Sequence, residues 1–143
     1  MNDLHSNVKQ ILALNAVALG ATGAITGAII DRQGYYGDLV ILPAYGSVTT
    51  TGTVVTAIVK EGDVTGTLTS VADADLNGTE ALASLAAGAR VAGTGKEVVK
   101  RVSYKGNKRY VQLTLNHTGT TSAGIVQASA LLHSPALAPV ANP

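Results

Sequence analysis

Residues able to do chemistry are few in this chain of 143, and none of them stands in a catalytic arrangement. His5, His117 and His133 are far apart, and there is no cysteine, so any metal site would rest on them and on scattered carboxylates. No HExxH-like spacing exists, and the three histidines are expected at the surface or at strand ends. Asp73-Ala74-Asp75-Leu76-Asn77-Gly78 begins like an EF-hand loop, but its twelfth position is Ser84 where a bidentate Glu is required. These residues are expected to satisfy local backbone groups at a turn and helix entry. Gly93-Thr94-Gly95-Lys96 has half of a phosphate loop: Arg90 stands where the first glycine belongs, and Glu97 replaces the magnesium-binding hydroxyl. Dinucleotide fingerprints and a GxSxG elbow are absent. No catalytic residue, metal ligand or cofactor is therefore expected, and the chemistry left to the chain is binding.

The densest charge is Lys96, Lys100, Arg101, Lys105, Lys108 and Arg109. A hairpin turning at Lys105-Gly106-Asn107-Lys108 would gather these residues, with Gly106 and Asn107 taking the positive φ of a tight turn. Tyr104 and Tyr110 would face each other across it as a stiffening pair. A reader of nucleic acid needs more interleaved aromatics than these two, and the net charge is only +1, so an acidic patch on a protein partner fits better.

These residues must be positioned by short strands. Apolar residues are 46% of the chain, yet Phe and Trp are absent, so the core must be built from Val, Ile, Leu and Ala. Only 13% of residues are charged, about half the usual share, which suits a surface covered by partners. Alternation places Val55, Ala57 and Val59 on one face, then Val98, Val102 and Tyr104, then Val111, Leu113 and Leu115, then Val126, Ala128, Ala130 and Leu132. Val8–Leu14 and Ala28–Gln33 read as strands, and Gly20–Gly27 as a loop. Asp38–Tyr45 suits a strand buried on both faces, with Pro43 at an edge or bulge.

Gly78–Ala89 predicts a helix of about three turns, with Thr79 as N-cap and Glu80 in the first turn. The uncharged run Gln10–Ile30 is too rich in Gly, Ala and Thr for a membrane span, and its start lacks the basic character of a signal peptide. The sum is one all-β domain over residues 1–133: a jelly-roll-like antiparallel β-sandwich of about eight strands with one short helix. Extended arms are expected within about residues 1–27 and over the Pro-rich residues 134–143.

Ser103-Tyr104-Lys105-Gly106-Asn107-Lys108-Arg109-Tyr110-Val111-Gln112-Leu113 resembles the "GYxGxKRYVRL" segment of small virion structural proteins of tailed bacteriophages. Asp31-Arg32-Gln33-Gly34-Tyr35-Tyr36-Gly37 resembles their "DxxGYxG" element. Asp73-Ala74-Asp75-Leu76 and His133-Ser134-Pro135 before Pro139 fall in the same order. Ser103 stands where that family usually has Gly, and its mid-chain Phe is missing. The resemblance implies a virion component, similar to capsid decoration (cement) proteins: a homodimer or homotrimer binding the major capsid protein on the capsid surface, made in the host bacterial cytoplasm, with neither nucleic acid nor membrane as partner. The candidate partner contacts are Tyr35, Tyr36, Tyr104, Lys105, Lys108, Arg109, Tyr110, Pro135 and Pro139. A tail-tube, connector or tail-tip protein is the nearest alternative. A carbohydrate-binding module is more distant, because stacking rings of Trp and Phe are missing.

Overall fold

The computed structural model describes residues 3–20, 22–46, 54–85, 97–119 and 124–137. Among these residues, ten strands form two antiparallel sheets. The larger runs β1 (Val8–Ala18), β10 (Ile125–His133), β3 (Leu39–Tyr45), β8 (Val102–Tyr104), β6 (Leu76–Asn77), with β7 (Val98–Val99) also on β3. The smaller runs β2 (Gly23–Asp31), β9 (Tyr110–Thr118), β4 (Val54–Gly62), β5 (Thr69–Ser70). β1 pairs β10, β2 pairs β9, β3 pairs β8 and β4 pairs β5, so the pairs nest like one long hairpin rolled upon itself. That is the jelly roll, and the all-β sandwich expected from the alternation is the fold observed.

The inward faces meet as the period of two requires. Val55, Ala57 and Val59 of β4 and Val111, Leu113 and Leu115 of β9 face Val126, Ala128 and Ala130 of β10, all fully buried. Each such Val or Leu contributes roughly 1.5–3 kcal/mol by leaving water. Tyr45 and Tyr104 are buried as well, so the core is not purely aliphatic.

Residues 23–27, expected as loop, are instead the first half of β2, and residues 8–18 are β1. The N-terminal stretch is therefore sheet rather than a free arm. A bulge between Thr26 and Ile29 shifts the phase of β2. There its backbone crowds β1: a Cβ on Gly27 would collide with the Ala13 carbonyl oxygen.

Pro43 lies in an interior strand, not at an edge. Its carbonyl accepts from the Lys100 N–H at 2.8 Å, on the side where Pro43 has no N–H to return. Val98 opposes Tyr45 and Val102 opposes Ile41 in one continuous register. β7 and β8 are thus a single extended segment, interrupted only by the bond that proline cannot make.

A single turn, α1 (Leu4–Asn7), precedes β1, and the predicted helix also shrinks to one turn, α2 (Glu80–Ala83), with Thr79 as N-cap; residues 86–89 lie outside those described. The chain leaves the helix because it has a strand edge to cover. The N–H of Val59 donates to the Glu80 carboxylate, that of Ala57 to Ser84 Oγ at 2.8 Å, and that of Val55 to the Leu85 carbonyl at 3.0 Å. Three successive edge donors of β4 are satisfied without another strand. Ser84→Ala is expected to cost about 1–2 kcal/mol in chemical denaturation, since it orphans the Ala57 N–H and loses the bond to the Glu80 carbonyl.

Candidate functional site

Two sequence-distant segments meet at one end of the sandwich: the loop after β2 and the connection from β8 to β9. That connection is not a hairpin. β8 belongs to the larger sheet and β9 to the smaller, so residues 105–109 carry the chain across from one to the other. Tyr104 and Tyr110 are accordingly not a cross-strand pair.

Tyr104 binds this crossing from below. Its O–H donates to the Glu61 carboxylate at the end of β4, and its oxygen accepts the Lys108 N–H at 2.9 Å. Burial, then the bond to Glu61, pushes its phenol well above the usual tyrosine range. Fully buried, Tyr104 is a structural staple between sheets and not the partner contact expected of it. Neither Gly106 nor Asn107 has a positive φ. Glycine is needed at 106 because a Cβ would collide with the Tyr104 ring.

Arg32 binds the crossing from the side. Its guanidinium lies 4.8 Å from the Tyr104 ring centroid, and Nη1 donates to the carbonyls of Gly106 at 2.7 Å and Lys108 at 3.1 Å. Nη2 reaches the Gly37 carbonyl at 3.3 Å. Around it, Arg109 grips Asp31 with two bonds of 2.9 and 2.7 Å, and Lys108 pairs with Asp63 at 2.6 Å. Two of the six basic residues of the expected cluster, Lys108 and Arg109, are thus neutralised within the fold. Lys105 is exposed and has no ion pair among the described residues.

The bond from Arg109 holds the Asp31 carboxyl below its ordinary value, and the bond from Lys108 does the same for Asp63. A depressed folded-state pKa adds stability that is present above the unfolded value of 3.8 and lost as pH falls through the folded value. Thermal stability is therefore expected to drop between about pH 5 and pH 3, and Asp31→Asn to flatten part of that slope in a pH series of melts.

The loop and the crossing enclose a depression of about 460 Å³ lined by Tyr35, Tyr36, Lys105, Lys108 and Arg109 among others. Five of the expected contact residues are thus brought together. Tyr110 stands beside them, with Arg109 stacked 4.9 Å from its ring. Pro135 reaches the same end, because it bridges Tyr35, and the Ala136 N–H donates to the Gly34 carbonyl at 2.7 Å. The start of the C-terminal tail is therefore pinned rather than free; Pro139 lies outside the described residues. Tyr36 is 82% exposed at the rim, and its backbone N–H donates to the Ser134 carbonyl at 3.0 Å.

Sequence reasoning missed Arg32 and Glu61, which bind the crossing, though a buried partner for an Arg in so weakly charged a chain was a usable signal. His117, expected at the surface or at a strand end, lies at the end of β9 and is buried there. Among the described residues no three groups able to hold a metal ion come together. No described helix is long and apolar enough to cross a membrane. Comparison of the chain with protein-family models, curated proteins and solved structures found no match.

Proposed function

We propose that this chain is a structural protein of a tailed-bacteriophage virion, one that binds the outside of the capsid and stabilises its lattice. The observation that carries the proposal is the meeting of Asp31–Gly37 with Ser103–Leu113 at one end of the sandwich. These are the two segments that resemble the virion family. Their charged residues lock the crossing from within, which leaves Tyr36 and Lys105 exposed on the rim, with Tyr35 packed against the core behind them. A rigid aromatic beside a lone cation is the composition of an interface anchor. The jelly roll is also a frequent architecture of capsid domains, a supporting analogy of fold alone.

In this account the major capsid protein is the partner and the capsid surface the location. The chain stabilises the shell by mass action: it binds the assembled lattice and not the separated subunits, so dissociation of the shell must also release it. Purified protein mixed with heads assembled without it is expected to sediment with them to a saturable level. Failure to co-sediment at any concentration tested would sink the proposal.

A further inference from the structure

We propose that the outward face of the larger sheet is a self-association surface, seating a second copy of this chain about a two-fold axis that runs along the row Gln127–Ala44–Val99. The residues of that row are neighbours in the paired registers. The outward positions of β1, β10, β3 and β6 carry no Asp, Glu, Lys or Arg; the charges on this face are Glu97 and Arg101 beside β7, and it exposes Leu12 (52%), Ile125 (54%) and Val99 (69%). The outward side of the smaller sheet is more polar: its central strand carries Gln112, buried Thr114 and Asn116 there, flanked by Thr26, Thr56 and Lys60 as well as Ile29 and Ile58.

Charge and size identify the occupant as a second copy. Glu97 and Arg101 flank β7 at equal spacing on either side of Val99, and neither forms an ion pair among the described residues. A two-fold at Val99 sets Glu97 of each copy over Arg101 of the other, an isologous arrangement with opposite charges matched twice. The same operation sets Leu42 over Gly46 and Ile125 over Ser129, so large side chains face small ones. The depression of about 510 Å³ lined by Ala44, Gly46, Val99, Ile125 and Gln127 has room for the incoming Leu42. Three rows across four strands give a flat footprint of roughly 400 Å² per copy, before side-chain relief is counted. That is roughly 800 Å² in total, the size of a weak, transient contact, so the dimer is expected to dissociate on dilution.

This inference rests on the face alone and not on the virion proposal; its test reads mass, whereas shell binding is read by co-sedimentation. Sedimentation of the full chain over about a hundredfold range of concentration is expected to show a monomer–dimer equilibrium. Glu97→Arg and Arg101→Glu should each weaken it at least about tenfold. The double variant should recover to within about threefold of the parent, because the charges are exchanged and not lost. Both sites are exposed, and circular dichroism reports whether each variant is folded. A monomer at every concentration would overturn the proposal, as would a double variant no stronger than either single one. Loss of shell binding without change in mass would assign the face to the shell instead and equally overturn it.

Discussion

Replacing Arg32 with alanine is expected to lower the stability of this protein by about 3 kcal/mol. The guanidinium makes charge-assisted bonds to the carbonyls of Gly106, Lys108 and Gly37 and covers the Tyr104 ring. Each such bond contributes roughly 1.5 kcal/mol or more when partly shielded from water, and the network is lost as a unit. Half-burial tempers the figure, because water can reach some of the carbonyls left behind. In a chain of this length the loss corresponds to a fall of roughly 10 °C in Tm. Arg32→Lys should recover less than half of it, because a point charge cannot fork between two carbonyls. A change below about 1 kcal/mol in Arg32→Ala would mean that the crossing is held by Tyr104 and Glu61 alone.

Tyr36→Ala should do the reverse: leave the fold intact and remove function. Tyr36 projects from the rim with its ring in water, so the melting temperature is expected to shift by no more than about 2 °C. Affinity for the shell should fall at least about 30-fold, the effect of losing a central aromatic anchor. Tyr36→Phe separates the ring from its hydroxyl and should keep most of the affinity. Titration of labelled protein onto undecorated heads measures all three. Equal affinity of Tyr36→Ala and parent would remove this end of the sandwich from the contact.

What the sequence disclosed follows from how local each determinant is. Val111, Leu113 and Leu115 alternate without interruption, and so do Val126, Ala128, Ala130 and Leu132; each set was legible because one face of a strand is buried. β2 was illegible for a definite reason. Its bulge puts half-buried Ile25 and buried Ile30 five residues apart, an odd spacing that destroys the period of two. Gly27, which looks like a loop residue, is required by close approach of the β1 backbone.

The candidate site was legible as a set of residues but not as an arrangement. Lys105-Gly106-Asn107-Lys108 reads the same whether its flanking strands pair with each other or separate into two sheets. The deciding partners are Glu61, 43 residues from Tyr104, and Arg32, 74 residues from Gly106. Likewise Thr79 and Glu80 gave the start of α2 correctly, but its early end depends on the bond between Ser84 and Ala57, 27 residues away.

The central claim is tested most directly by electron cryomicroscopy of undecorated heads incubated with the purified chain. The account predicts regular density on the outer shell, with the Tyr35–Tyr36 end of each sandwich against the capsid protein. A bare shell after incubation, or density confined to the tail, would contradict it.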